Sequence, residues 1–153
     1  MKEEMIDSLP QKIIIVRCFD SRIDVPLHAM YAELKKHGCQ TVREEKLAGG
    51  GIIYARHMDF ANEQIETFAS LGFNGIILVP HTDCHHVRLH NLIPSDCTEN
   101  DFLEKEMGKG LENIRINFPS IISHAYNIDT EKSKNGIQSV MRCSCSHHME
   151  LFA

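Results

Sequence analysis

Cysteine, histidine, aspartate and arginine recur in this chain in an order that could hold a metal. Cys18-Phe19-Asp20-Ser21-Arg22 stands directly after one apolar run, and His81-Thr82-Asp83-Cys84 directly after another. Thiolate and imidazole are ligand types that zinc prefers, and a set of two cysteines and one histidine leaves the fourth tetrahedral position open to water or substrate. An open position separates a catalytic zinc site from a closed structural one. It points to hydrolytic or hydration chemistry, because zinc lowers the pKa of a bound water to about 7. Asp20 and Arg22 are close enough in sequence to pair, and the guanidinium fork would keep the carboxylate ionised and aimed at that water. The candidate ligands for Zn2+ are therefore Cys18, His81 and Cys84, and the candidate catalytic pair is Asp20 with Arg22.

Bringing these residues together takes two neighbouring strands. Lys12-Ile-Ile-Ile-Val-Arg17 and Gly75-Ile-Ile-Leu-Val-Pro80 are short, β-branched and apolar, as strands buried on both faces of a parallel sheet are. In an open α/β sheet the ligand crevice lies at the carboxyl ends of the strands flanking the point where strand order reverses. Between the two runs, Leu27, Met30, Tyr31 and Leu34 keep helical spacing from an N-cap at Asp24, with Pro26 in the first turn, to Gly38. A weak strand follows over 40–43, then the loop Leu47-Ala48-Gly49-Gly50-Gly51 and a helical stripe of Met58, Ala61, Ile65 and Phe68. Leu103, Met107, Leu111, Ile114 and Phe118 mark a third helix, and Ile121 to Tyr126 a last strand. This alternation predicts an α/β fold, a mainly parallel open sheet of about four strands with helices on both faces. It assigns 1–132 to a single zinc-binding domain and 133–153 to a polar, disordered C-terminal tail.

With 153 residues, 42% of them hydrophobic, the chain is about one domain long and can build one packed core. A formal charge of -5 and a pI near 6.0 argue against nucleic acid or anionic membrane as partners. No stretch approaches the ~18 apolar residues of a membrane span, and the opening Met-Lys-Glu-Glu-Met is too polar to begin a secretory signal. Six cysteines in such a chain read as reduced thiols or metal ligands, and the expected location is the cytoplasm.

Cys18-x-Asp20-Ser21-Arg22 followed by His81-x-x-Cys84, each placed after an apolar strand, is similar to the two signature motifs of the β-carbonic anhydrases. Ala48-Gly49-Gly50 resembles that family's Ala-Gly loop beside the active site, which makes Gly49 and Gly50 candidate substrate-pocket residues. Ser123-His-Ala-Tyr-Asn-Ile-Asp-Thr130 looks like the family's last strand with its Tyr-Asp-x-x-Thr-Gly turn. The resemblance implies a β-carbonic-anhydrase-like fold and reversible hydration of carbon dioxide to bicarbonate by zinc hydroxide. It also implies a homodimer or larger homo-oligomer. In some members the aspartate matching Asp20 leaves its arginine and takes the fourth zinc position, giving an inactive state.

Taken singly, the same residues have plainer explanations. A lone Cys18 is most often a small buried hydrophobe, and Asp20 with Arg22 a surface ion pair. Gly49 and Gly50 can be an ordinary turn, and Asp83 a cap that stays outside the catalytic set. His85 and His86 read as proton shuttles or as solvated loop residues. Cys143-Ser-Cys145-Ser-His147-His148 has the residue types of a second metal site, but its spacing matches no strong zinc signature. Cys39 and Cys97 read as structural or incidental. Two other functions compete with the anhydrase: a zinc hydrolase of carbon disulfide or carbonyl sulfide, and a non-catalytic zinc-stabilised binding module.

Overall fold

In the computed structural model, which describes residues 10–143, strand β1 (Lys12–Arg17) leads through a 3-10 turn (Ser21–Ile23) into helix α1 (Asp24–Lys36). Strand β2 (Thr41–Lys46), helices α2 (Gly51–Arg56) and α3 (Met58–Ser70) and strand β3 (Gly75–Val79) follow. Helices α4 (His85–Leu89) and α5 (Glu99–Asn117) connect to strand β4 (Ile122–Ile128). A 3-10 segment (Thr130–Ser139) then delivers strand β5 (Val140–Arg142).

The sheet order is β2-β1-β3-β4-β5, with the first four strands parallel and β5 antiparallel to β4. Ile13 to Arg17 and all of β3 are buried, which is why these strands read as unbroken apolar runs. From β1 the chain steps outward to β2, then returns past β1 to β3. Strand order therefore reverses between β1 and β3, whose ends pair Arg17 with Val79. That is where an open α/β sheet forms its ligand crevice.

Helix α1 and the 3-10 segment pack together, and α2 and α3 pack with α5. Leu27, Met30 and Leu34 of α1 are buried, as are Ala61 and Ile65 of α3 and Phe102, Leu103, Met107, Leu111 and Ile114 of α5. Each large side chain so buried contributes roughly 1.5–3 kcal/mol. These stripes hold the strands rigid beneath the loops at their carboxyl ends.

Four features depart from the sequence expectations. There are five strands where about four were expected. β2 runs to Lys46 because it is an edge strand whose Arg43, Glu44 and Lys46 reach solvent or ion pairs, so it lacks an apolar signature. Asp24 is the first residue of α1, not its N-cap, and its carboxylate accepts from the buried Arg17 at 2.6 Å. Finally, the packed unit does not end at 132. Residues 133–139 continue the 3-10 segment against α1, Ser139 is fully buried, and β5 pairs Ile128 with Val140 and Tyr126 with Arg142. The physical reason is the outer edge of β4, whose backbone groups would otherwise lack partners. A three-residue strand after a polar turn carries no periodicity from which to predict it. Cys145, His147 and His148 lie outside the described residues.

Candidate metal centre

Cys18 follows the last residue of β1, and His81 follows Pro80 at the end of β3, so the β1–β3 register sets them on either side of the crevice. Cys84 arrives through a tight turn in which Asp83 adopts φ +56°, and it stands at the N-cap position of α4. All three side chains are buried, with exposures of 5%, 1% and 2% for Cys18, His81 and Cys84. Their two sulfurs and one ring nitrogen lie within 4.8 Å of one another. Among the described residues this is the only group of three or more Cys, His, Asp or Glu side chains placed to hold a metal ion.

The histidine is oriented for ligation. Its Nδ1 lies 2.8 Å from the Thr82 carbonyl oxygen and donates to it, which leaves the lone pair on Nε2. Nε2 is buried and has no hydrogen-bond partner. Such a group is costly to bury unless something faces it, and a cation facing the two sulfurs removes that cost. The donor set and the orphaned nitrogen together fit zinc. The two thiols titrate as a pair. A hydrogen bond from Cys84 holds Cys18 well below the ordinary thiol value against the opposing effect of burial, and the facing His81 ring and the backbone at Asp20 and Gly49 act in the same direction as Cys84. That same hydrogen bond, together with burial, pushes Cys84 up. One thiolate is thus readily available, and a metal ion bound there would displace the second proton.

Several groups hold the ligands in place. Arg17, 2% exposed, donates from Nε to the Cys18 carbonyl at 2.8 Å and from Nη2 to the Asp20 carbonyl at 3.3 Å. Thr82 is tied to the end of β4: its N–H donates to the Ile128 carbonyl at 3.0 Å and its Oγ1 accepts from the Thr130 N–H at 2.9 Å. Thr130 Oγ1 donates to the same Thr82 carbonyl that receives His81, at 3.1 Å. Thr82→Val leaves the Thr130 N–H without its acceptor. The expected loss is about 1–3 kcal/mol of stability, read by chemical denaturation.

Asp20 and Arg22 form the expected pair. Arg22 donates from Nη2 to Asp20 Oδ2 at 2.7 Å and from Nε to both carboxylate oxygens, and its main-chain N–H caps Oδ1 at 2.9 Å. These bonds hold the Asp20 carboxyl below its ordinary value and so ionised at neutral pH. Asp20 Oδ2 lies 3.9 Å from His81 Nε2. Gly49 lies against His86, and Gly50 against the backbone of Cys18 and Val79. Gly50 has φ +56° and ψ -127°, and a Cβ there would fall 2.6 Å from the Cys18 nitrogen.

No family model matches this sequence, and no curated protein matches it. Among solved structures, the carbonic anhydrase from Glaciozyma antarctica superposes with a TM-score of 0.55 at 17% identity, covering 91% of this chain and 88% of that one. A tetrameric β-carbonic anhydrase from the filamentous ascomycete Sordaria macrospora superposes at 0.53 and 11% identity, over 95% and 87% of the two chains. This chain has the β-carbonic anhydrase fold. Within that fold, an apolar hollow of about 410 Å³ opens beside the glycine turn, lined by Leu47, Ala48, Ile53, His57, Phe60 and His86.

The β-carbonic anhydrase-like frame thus gathers Cys18, His81, Cys84, Asp20, Arg22, Gly49 and Gly50 at one crevice. It leaves others aside. Cys39 is buried away from the crevice and donates to the Gln11 and Thr41 carbonyls, and Cys97 sits in the loop before α5. His85 is exposed, whereas His86 is half-buried and stacks near His90, with ring centroids 4.6 Å apart. Arg17, Thr82 and Asp83 were missed as site residues. A charged residue ending an apolar strand was the available signal for Arg17 alone.

Proposed function

We propose that this chain is a zinc-dependent carbonic anhydrase that interconverts carbon dioxide and bicarbonate. The observation carrying this reading is the buried, unpartnered Nε2 of His81, facing two thiols at the switch point of a β-carbonic anhydrase-like sheet. Cys18 Sγ, His81 Nε2 and Cys84 Sγ are the atoms that would hold the ion, leaving one tetrahedral position to solvent or substrate. Zinc bound there supplies a Lewis acid that brings the pKa of a water ligand to about 7, and so a nucleophile at neutral pH. Asp20, kept ionised by Arg22, is the carboxylate that would accept a hydrogen bond from a water in the open position.

The same reading makes the protein a homodimer or larger homo-oligomer, in line with the tetrameric Sordaria macrospora neighbour. It places the enzyme in the cytoplasm, where the free thiols of Cys18 and Cys84 stay reduced. The test is stopped-flow carbon dioxide hydration with a pH indicator on protein of measured zinc content. Activity should rise in proportion to zinc. Zinc-loaded protein that is silent from about pH 7 to 9, where a zinc-bound nucleophile should be available, would remove the anhydrase reading and leave carbonyl sulfide and carbon disulfide as substrates to assay.

A further inference from the structure

Arg22 is held at two edges. Nε and Nη2 face Asp20, while Nη1 donates to Asp83 Oδ2 at 2.9 Å and Nη2 also reaches the Asp83 carbonyl at 2.9 Å. Asp83 is in turn held from its far side: Arg88 Nη1 lies 2.9 Å from Oδ1, and the Asp83 N–H donates to Glu99 Oε2 at 2.9 Å. The result is an alternating chain, Asp20–Arg22–Asp83–Arg88, running outward from the metal ligands. Because the two carboxylates occupy different edges of the guanidinium, they do not compete for it. Asp83 fixes the plane in which Arg22 meets Asp20.

That plane matters because of where Asp20 stands. Its Oδ2 is 3.9 Å from the unpartnered His81 Nε2, nearer than the other described carboxylates that pair with Arg22 or Arg88. A carboxylate is itself a good zinc ligand, and only the bonds from Arg22 commit Oδ2 elsewhere. A further mark is the left-handed backbone of Asp83, φ +56°, which turns its carbonyl toward Arg22 as well as its side chain.

We infer that Asp83, backed by Arg88, is a positioning residue: it keeps Arg22 turned toward Asp20 and so keeps Asp20 off the metal, leaving the fourth position open. The inference rests on the metal reading proposed above. Asp83, Arg22 and Arg88 side chains are 48%, 43% and 59% exposed, so the chain of ion pairs contributes little to folding. Asp83→Asn should therefore fold and load metal as the parent does.

The experiment uses Co2+-loaded full-length protein and follows its visible absorption during titration with azide. In the parent, azide should enter the open position and shift the spectrum. In Asp83→Asn, at equal cobalt content, azide affinity should fall about 10- to 100-fold, the size expected when a partner of a metal-site residue is removed. Arg88→Ala should shift it the same way by less. The deciding comparison is the double variant Asp20→Ala/Asp83→Asn, which should bind azide as Asp20→Ala does, because no carboxylate remains to occupy the site. Unchanged azide affinity in Asp83→Asn, or an equal fall in both backgrounds, would overturn the inference. Parent protein that takes up no cobalt overturns the metal reading and this inference together. Parent protein that binds cobalt and azide but does not hydrate carbon dioxide overturns only the proposed reaction.

Discussion

Cys84→Ser should leave metal loading with far less than one zinc per chain and no measurable carbon dioxide hydration. Cys84 is 2% exposed and within 4.8 Å of the other two ligand atoms, so nothing from solvent can replace its sulfur without opening the N-terminus of α4. Serine keeps the size but not the readily ionised, soft donor that zinc selects. Removing partners that merely orient a ligand costs about 10–100-fold in metal affinity, so losing a ligand should cost more than ~100-fold. Zinc analysis after dialysis, beside stopped-flow hydration, reads both effects. Cys39→Ser is the control, since Cys39 is also buried but its sulfur donates to the Gln11 and Thr41 carbonyls, away from the three candidate ligands. It should keep full zinc. Stoichiometric zinc in Cys84→Ser would refute the assignment of this ligand.

Gly50→Ala should damage both the fold and the candidate metal centre. The new Cβ would sit 2.6 Å from the Cys18 nitrogen and 2.9 Å from the Val79 carbonyl oxygen, both main-chain atoms of the two central strand ends. Neither can yield without moving the strand ends that carry the candidate ligand Cys18. The conformation, φ +56° with ψ -127°, is also one that residues with a Cβ avoid. Strain and overpacking together should cost about 3–4 kcal/mol, lowering Tm by about 10 °C in a domain of this size. Zinc affinity should fall with it, because Cys18 must shift. Gly38→Ala separates the two causes: Gly38 has φ +100° but nothing within 4 Å of a Cβ, so it should show strain alone and keep zinc. Equal Tm losses in both variants would show that close approach at Gly50 is not what makes it glycine.

The central strands and the candidate ligands were legible for local reasons. Unbroken Ile and Val runs reveal strands covered on both faces, and the residue types after them are metal donors whatever their surroundings. The helices of α1, α3 and α5 showed through their stripes of buried residues. What stayed hidden was short, exposed or defined by a distant partner. α2 and α4 span 6 and 5 residues, too few to display a helical period. β2 carries charge because its edge faces solvent, and β5 exists because β4 needs covering.

Asp83 shows the division most clearly. In sequence it is one more acidic residue near a strand end, suited to capping. In the structure it meets an arginine 61 positions away and gains a second from α4. The kinds of donor, and hence the proposed zinc and class of chemistry, follow from side-chain identity, which is written locally. Their convergence does not. It depends on β1 lying beside β3, on Thr130 reaching back 48 residues to the carbonyl that sets the His81 tautomer, and on Arg17 gripping the loop after Cys18. Strand adjacency and hydrogen bonds between remote residues are properties of the folded chain, so the folded chain alone could turn three donors into a site.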